Sequence, residues 1–353
     1  MTIPDTLRQL LTAPGPSGYE SAPAAAWRAA AEGFGAQVSS DTLGSALARV
    51  AATGEGPRLA VVGHIDEIGL LVTHVDDDGF LHFTGVGGWD PQVLVGQRVE
   101  VIARDGALPG VIGRKPIHLM RDDEERKKVV ELKGLHIDVG ARDGDEARGM
   151  VRVGDVAVIA GEPHELPNQR VVSRALDNRL GAFVALEAAR LVAEAGSAPG
   201  EVVAVAAVQE EVTFAGAQTT AYALEPGVAV VVDVTHATDA PGVDPKELGA
   251  HEFGSGPVIQ RGSIINPRVF ELLHSAAEAE GIPFTVSASA RRTGTDADAI
   301  HLTRAGVPTG VVSIPLRYMH SPVEMVQLDD VSAAARLVAA FAQRLGPDVS
   351  FER

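Results

Sequence analysis

Seven residues with imidazole or carboxylate side chains stand at or just beyond the ends of apolar, strand-like segments. They are His64, Asp66, Asp177, Glu210, Glu211, Asp233 and His320. Open parallel sheets bind ligands at the carboxyl ends of their strands. We therefore expect these side chains to converge on one edge of a sheet, where they could hold metal ions.

Each of these residues also has an ordinary structural explanation. A histidine after a strand is most often hydrogen-bonded within a loop, a Glu-Glu pair is normally solvated, and an acid that opens a helix is often a cap. Asp233 is the hardest to explain in this way, because it directly follows the apolar run AVVV. A buried carboxylate without a cation or donors costs several kcal/mol. The coincidence of all seven residues at one edge favours a site.

The residue types narrow the chemistry of such a site. The chain has no cysteine, so metal ligands must come from its 11 histidines and its carboxylates, a set that suits Zn²⁺ or Co²⁺. Two ions about 3.5–4 Å apart need a shared carboxylate, which one central aspartate can provide. On an extended backbone Glu210 and Glu211 point to opposite sides, so one could bind metal while the other acts as a base. His64 and Asp66 point to the same side, which suits a carboxylate that orients a ligating imidazole.

Strands and helices alternate in the outer parts of the chain. Helices are predicted at 5–11, 20–32, 177–195, 217–224, 267–280 and 330–345, and strands at 46–50, 58–62, 170–173, 202–208, 228–232 and 309–314. The middle of the chain instead has short β-rich pieces between Asp/Gly turns, which is typical of a small barrel or sandwich. The pattern predicts an α/β fold with a three-layer domain around a central, mostly parallel sheet. Residues 1–67 and 163–353 would form this domain, interrupted by a barrel-like insertion at 68–162.

Composition excludes several classes of protein. Lys+Arg 30 against Asp+Glu 47 gives a formal net charge of −17, which argues against a nucleic-acid binder and against adhesion to anionic membranes. We see neither a signal-peptide pattern nor an apolar run near the roughly 20 residues of a spanning helix, so we expect a cytoplasmic protein. The charged segment 121–128 is expected to be an exposed, mobile loop without chemistry.

Six separated motifs resemble, in the same order, those of the TET-type (glutamyl/deblocking) aminopeptidases. The motifs are GHIDEIGLLV, GVGGWDPQVLVGQRV, SRALDNRLGA, VQEEVTFAGA, VVDVT and IPLRYMHSP. This family consists of metallopeptidases with an α/β catalytic domain that a β-rich dimerisation domain interrupts. The resemblance covers nearly the whole chain and implies an enzyme that removes the N-terminal residue from short peptides.

The resemblance also implies a set of metal ligands. Each subunit would hold two divalent ions, Zn²⁺ or Co²⁺. His64 and Asp233 would bind one ion, Glu211 and His320 the other, and Asp177 would bridge the two. The subunits would form a homododecamer built from dimers, with active sites that face an internal chamber.

Two further residues receive catalytic roles from the resemblance. Glu210 would be the general base for a water between the ions, and Asp66 would orient His64. Asn178 stands where the family often has a second aspartate, and Thr213 and Phe214 replace a Gly-containing turn. These departures lie outside the ligand set and bear on the shape of the pocket.

Three other functions remain open at this point. A related di-metal deacylase or carboxypeptidase shares the ligand logic, but it carries its extra domain after most of the ligands rather than between His64 and Asp177. A glycosidase needs two opposed carboxylates and no imidazoles. A non-catalytic oligomeric scaffold with a vestigial site would have lost a ligand, and none is lost.

The preferred N-terminal residue of the substrate does not follow from the sequence. The loop 291–298 is expected to form part of the pocket wall. Arg291 and Arg292 in this loop could select an acidic side chain, but a solvated position is the more frequent one for such residues.

Overall fold

The computed structural model describes residues 2–120, 126–196 and 198–352, so most of the charged segment 121–128 lies outside the described residues. The helices are α1 (Asp5–Thr12), α2 (Ser21–Gly33), α3 (Gly144–Met150), α4 (Leu176–Glu194), α5 (Glu210–Thr213), α6 (Ala215–Leu224), α7 (Pro245–Leu248), α8 (Pro267–Ala279), α9 (Ala297–Ile300) and α10 (Leu328–Gln343). Within the described ranges, no helix has both the length and the apolar character that a membrane crossing requires.

The strands fall into two groups along the chain. Strands of the large sheet are β1 (Gln37–Ser40), β2 (Ala46–Val50), β3 (Leu59–His64), β10 (His164–Leu166), β11 (Arg170–Ser173), β12 (Val202–Ala207), β13 (Val228–His236), β14 (Val258–Gly262), β15 (Thr285–Ser289), β16 (Thr309–Arg317) and β17 (Glu324–Gln327). Strands of the barrel are β4 (Gly69–Val75), β5 (Leu81–Val86), β6 (Arg98–Ala103), β7 (Gly106–Arg114), β8 (Leu135–Asp138) and β9 (Val156–Ile159).

The large sheet is parallel at its centre and mostly antiparallel farther out, although β14 and β15 pair in parallel. Its main path is β1-β2-β12-β3-β13-β16-β17-β11-β10, and β14 and β15 extend it from β16. The central strands β12, β3, β13 and β16 pair in parallel, and nearly all their residues are buried. Strands buried on both faces need helices on both faces. Helices α4 and α10 pack together over the sheet, and α6 and α9 form a separate pair against it.

The inserted strands close into a barrel in the order β4-β5-β8-β7-β6-β9, with every neighbouring pair antiparallel. The barrel has its own hydrophobic core, which includes Val72, Leu81, Val101, Ile112 and Ile137. The predicted α/β class, with a central sheet and a separate barrel-like β-rich part, is confirmed.

Close backbone packing places helix α4 directly against the central strands. A Cβ atom added at Gly63 on β3 would lie 2.1 Å from the carbonyl carbon of Gly181 on α4. A Cβ atom added at Gly181 would in turn lie 2.3 Å from the carbonyl oxygen of Val232 on β13. Glycine at both positions therefore lets the start of α4 pack closely against both strands, which brings Asp177 to their ends.

The central strands separate where the candidate site residues begin. Strand β3 pairs with β13 only as far as Val62 opposite Val231, although it stays paired with β12 as far as His64. Asp233 was predicted just after its strand, but it lies inside β13, which continues along β16 to His236. The prediction stopped β13 too early because the continuation is held by β16 and not by local sequence. The resulting crevice is where an open sheet of this kind binds ligands.

Candidate metal centre

The structure brings all seven predicted site residues to the crevice between β3 and β13. Six of them line one cleft: His64, Asp177, Glu210, Glu211, Asp233 and His320. Asp66 is fully buried, with one carboxylate oxygen 3.4 Å from Nδ1 of His64. The other ring nitrogen of His64, Nε2, lies closest to the cleft carboxylates of Asp177 and Glu210. Asp66 therefore contacts the side of the imidazole that points away from the cleft.

Asp177 stands between the two imidazoles of the cleft. Its Oδ1 atom is 3.3 Å from Nε2 of His64, and its Oδ2 atom is 3.4 Å from Nε2 of His320. Oε1 of Glu211 is also 3.4 Å from Nε2 of His320. Each oxygen of this one carboxylate thus faces a different histidine. The backbone of Asp177 is not helical although it lies in the first turn of α4.

These separations suit metal ligands better than hydrogen-bond partners. Good N–H···O hydrogen bonds are about 2.7–3.2 Å long. Two ligands on a tetrahedral zinc ion, with bonds of about 2.0–2.1 Å, lie about 3.3–3.4 Å apart. Among the described residues, two groups have ligand atoms that lie within 4.8 Å of one another, namely His64 with Glu210 and Asp233, and His64 with Asp177 and Glu211. The donor set therefore fits divalent ions, and Glu210, predicted as the base, belongs to one of the two groups.

The surrounding negative charge raises the pKa values of the two imidazoles. Burial lowers the pKa of His64, but the carboxylates of Glu210, Asp177 and Asp66 outweigh it and raise this pKa well above its ordinary value. The neighbouring carboxylates of Asp177 and Glu211 raise the pKa of His320 to about 11. Both rings are thus drawn towards the cationic form, which shows how strongly this cleft favours positive charge.

The pKa values of the carboxylates in the cleft are shifted as well. Burial raises the pKa of Glu210 to about 10, and the charges of Asp233 and Asp296 add to the increase. Burial likewise raises the pKa of Asp233 well above its ordinary value. Asp177 differs, because the imidazoles overcome the effect of burial and hold its pKa below the usual range. Such a cluster is stable only with protons or cations among its oxygens.

Glu210 and Glu211 begin a helical turn and do not continue the strand. Strand β12 ends at Ala207, and α5 starts at Glu210 after Gln209, which has a left-handed backbone with φ 60°. The prediction that both glutamates lie on extended backbone is therefore wrong. Their side chains still diverge, because consecutive helical residues point about 100° apart. Oε2 of Glu210 is 3.8 Å from Nε2 of His64, whereas Glu211 faces His320.

Asp66 also accepts hydrogen bonds that were not predicted from the sequence. Its Oδ1 atom accepts the backbone N–H of Glu210 at 3.1 Å, and its Oδ2 atom accepts that of Glu211 at 3.2 Å. The hydroxyl of Ser17 also donates to Oδ2. The carboxylate thus caps the helical turn that carries both glutamates, as acids do at the start of a helix. Glu20 extends this support, since it accepts the N–H of Gln209 at 3.0 Å.

The amide of Asn178 explains why an aspartate is not needed at this position. Its Nδ2 atom donates to the carbonyl of Val232 at 2.9 Å, one residue beyond the last β3–β13 pair, and its Oδ1 atom accepts the N–H of Gly181 at 2.8 Å. A carboxylate could not donate to Val232. Asn178 therefore ties the start of α4 to the strand segment that carries Asp233.

Two more buried acids near the cleft were not predicted. Glu324 accepts backbone N–H groups from both Asp177 and His320, and burial raises its pKa well above its ordinary value. Glu324 shares a face of β17 with the buried Val326, but no pattern in the neighbouring sequence marks it as buried. Asp296 follows the cleft-lining Thr295, and neither of its oxygens has a hydrogen-bond partner among the described residues. Burial raises its pKa to about 7.

Over the described residues, the remaining wall of the cleft contains no acidic side chain and no lysine or arginine. It is formed by Val234, Thr235, His236, Thr293, Gly294, Thr295 and Met319. The loop 291–298 thus contributes to the wall through its threonines. Arg291 and Arg292 are exposed and are not part of the lining, which agrees with a solvated position.

A family model described as M42 glutamyl aminopeptidase matches residues 44–337, which contain every residue of the centre. The chain belongs to the M42 peptidase family. The resemblance inferred from the six motifs is confirmed, and so is the class of enzyme, a peptidase.

Individual relatives agree with this assignment over nearly their full lengths. A lysyl aminopeptidase of Pyrococcus furiosus is 35% identical over 314 residues, which span 88% of this chain and 88% of that protein. A TET aminopeptidase from the marine sediment archaeon Thaumarchaeota archaeon SCGC AB-539-E09 has a TM-score of 0.92 and 38% identity, with 97% of this chain and 96% of that one covered. The TET1 peptidase of Pyrococcus horikoshii, which can assemble into a tetrahedron or a large octahedral shell, has a TM-score of 0.84 and 32% identity, with coverage of 97% and 99%.

The double role of Asp66 leads to a testable prediction. Asp66→Asn keeps the size of the side chain. Its NH₂ group, however, would face a group that donates a hydrogen bond to the wild-type carboxylate. We expect kcat/KM to fall by roughly 10–100-fold, the usual effect of removing a residue that supports metal ligands. Asp41→Asn is the control, because Asp41 accepts the N–H groups of Gly44 and Ser45 in a loop that does not line the cleft. A folded Asp66→Asn protein with wild-type kcat/KM would contradict the assignment.

Proposed function

We propose that this M42 peptidase removes the N-terminal residue from peptides at a centre of two divalent metal ions, Zn²⁺ or Co²⁺. The observation that carries the proposal is the charge of the cleft. Among the described residues, its lining contains four carboxylates and no lysine or arginine. Such a cleft attracts the positively charged α-amino group of a peptide and offers no lysine or arginine to a terminal carboxylate.

The proposed ligands follow the distances around Asp177. His64 and Asp233 would hold one ion, Glu211 and His320 the other, and Asp177 would contribute one oxygen to each. The 3.3–3.4 Å separations between these nitrogens and oxygens support this division. When bound, the ions would supply Lewis acidity, which polarises a peptide carbonyl and lowers the pKa of water.

Glu210 would act as the general base and acid. Its side chain lies next to His64 and Asp233, and its backbone is held by Asp66. A carboxylate whose pKa is raised by burial is a better proton acceptor than an exposed one. Glu210 would accept a proton from the attacking water and return it to the leaving amine. The carboxylates of the cleft would bind the α-amino group, which restricts cleavage to the N-terminus.

The rival deacylase or carboxypeptidase function has less support. Both kinds of enzyme bind a substrate with a free carboxylate, which a cationic side chain normally recognises. The described lining of this cleft has no lysine or arginine to do so. A scaffold with a vestigial site has less support too, because the structure keeps every predicted ligand in the cleft.

We also propose that residues 68–162 form a dimerisation domain and that residues 1–67 and 163–353 form the catalytic domain of a cytoplasmic homododecamer. The insertion exposes several large apolar side chains: Val111, Ile117, Leu119, Val129 and Val153. Burial of such side chains in an interface is favourable. The shells formed by the related TET1 peptidase support assembly of the same kind.

A panel of substrates tests the proposed reaction. We expect hydrolysis of leucyl-nitroanilide and no hydrolysis of N-acetyl-leucyl-nitroanilide or N-acetyl-leucine, because acetylation removes the charge of the α-amino group. Leucyl-nitroanilide should also exceed glutamyl-nitroanilide in kcat/KM by at least roughly tenfold, since the described wall has no lysine or arginine to pair with a glutamate side chain. Release of leucine from N-acetyl-leucine as the main activity would instead support the deacylase.

Two isosteric variants separate the roles of the adjacent glutamates. Glu210→Gln cannot take a proton, so we expect turnover to fall by roughly 10²–10⁴-fold with two ions still bound. Glu211→Gln should lose one ion at limiting metal and regain part of the rate when metal is added. Metal stoichiometry and turnover are measured together for both variants. If Glu210→Gln loses metal and Glu211→Gln keeps two ions but is inactive, the roles are reversed.

Native mass measurement tests the assembly. We expect a species of twelve subunits, because the apolar side chains of the insertion would be buried between protomers. A preparation that is fully active and contains only monomers would contradict the proposal. An Ile117→Glu variant should shift the distribution to smaller species while each subunit stays folded.

A further inference from the structure

The carboxyl group of Glu324 joins two segments that each carry a proposed metal ligand. Its Oε2 atom accepts the backbone N–H of Asp177 at 3.0 Å, and its Oε1 atom accepts that of His320 at 2.9 Å. Glu324 is the first residue of β17 and is 2% exposed. One buried side chain therefore holds the start of α4 and the loop after β16 at a fixed separation.

This separation matters because the two side chains point at each other. Oδ2 of Asp177 and Nε2 of His320 are 3.4 Å apart, close to the spacing of two ligands on one ion. His320 has a left-handed backbone with φ 57° and lies outside the regular strands, so the sheet does not fix its position. A hydrogen bond to its N–H group supplies the missing constraint. The same carboxyl group places Asp177, whose backbone departs from the helix that follows it.

We propose that Glu324 is a positioning residue that sets the distance between Asp177 and His320 and so forms the ion site that they share with Glu211. The inference rests on the proposed di-metal function and deepens it. Glu324 would not touch substrate or metal, because both of its oxygens are engaged by backbone N–H groups. It would act only through the geometry of the two ligands.

Asp330 provides a matched comparison elsewhere in the fold. This residue of α10 is also buried, and its two oxygens accept the backbone N–H groups of Gly254 at 2.9 Å and Gly256 at 2.8 Å. None of these residues lines the cleft. Loss of either carboxylate should affect folding stability in a similar way, but only Glu324 is connected to ligands of the centre.

The experiment compares Glu324→Gln with Asp330→Asn in the full chain. An amide accepts on one side only, so each variant loses one hydrogen bond and turns an NH₂ group towards a donor. The measurements are Zn²⁺ affinity and stoichiometry by calorimetry on the metal-free protein, the visible absorption spectrum of the Co²⁺ form, and the unfolding midpoint. Glu324→Asp restores two acceptor oxygens on a shorter side chain and serves as the conservative variant.

We expect Glu324→Gln to weaken one of two Zn²⁺ sites by roughly 10–100-fold and to alter the Co²⁺ spectrum, because support behind metal ligands typically has this effect. Glu324→Asp should recover part of the affinity, and Asp330→Asn should keep wild-type metal binding. Wild-type affinity and spectrum in folded Glu324→Gln would overturn the inference, and so would an equal loss of metal in Asp330→Asn. If the wild-type protein itself binds no divalent ion, the proposed di-metal function fails and the inference that rests on it fails with it.

Discussion

Buried negative charge at the crevice between β3 and β13 is the constraint on which the rest of this structure depends. The cleft gathers four carboxylates around two imidazoles at the point where two central strands stop pairing. Each carboxylate loses its hydration when it is buried, so the cluster needs positive charge or hydrogen-bond donors in compensation. The raised pKa values of Glu210, Asp233 and His320 are local expressions of this one requirement.

The fold compensates the buried negative charge in one way on the side of the centre that faces the cleft, and in another way behind the centre, on the side away from the cleft. Acids that face the cleft are matched with imidazoles, whereas the acids behind it, Asp66 and Glu324, receive backbone N–H groups. Arginine side chains lie farther from the cleft. There the buried Arg174 and Arg179 form ion pairs with Glu67 and donate hydrogen bonds to backbone carbonyls of the N-terminal segment. A guanidinium group inside the cleft would neutralise the carboxylates directly and compete with metal ions for them. The arrangement therefore leaves the front carboxylates available to cations from outside.

Local signals account for the parts of the structure that the sequence predicts well. The helix predicted at 177–195 is observed at Leu176–Glu194, because its apolar period and its stop at Gly196 are contained in the segment itself. The chemistry of the centre was also accessible, since an acid directly after four apolar residues is hard to place anywhere except at a site. The order of the motifs along the chain then identified the family.

Features that depend on distant partners were out of reach. The extension of β13 past Asp233 is held by β16, and the helical turn at Glu210 is capped by Asp66, so neither could be inferred from the neighbouring residues alone. Glu324 lies on a short strand between β11 and β16, and its burial becomes evident only when both neighbours are in place. Sequence therefore predicts which residues meet at the cleft better than it predicts which residues hold them in place.

The order of the strands determines when the centre can assemble during synthesis of the chain. His64 lies on β3 in the middle of the sheet, but β3 must pair with β12 and β13, and the centre is completed only by His320 and Glu324 near the other end of the chain. Contacts between distant parts of a chain form only after both parts exist. A chain that is still leaving the ribosome therefore carries no assembled centre, however much of it has already folded. Because of the strand order, the cleft with all of its side chains exists only after nearly the whole chain has been made.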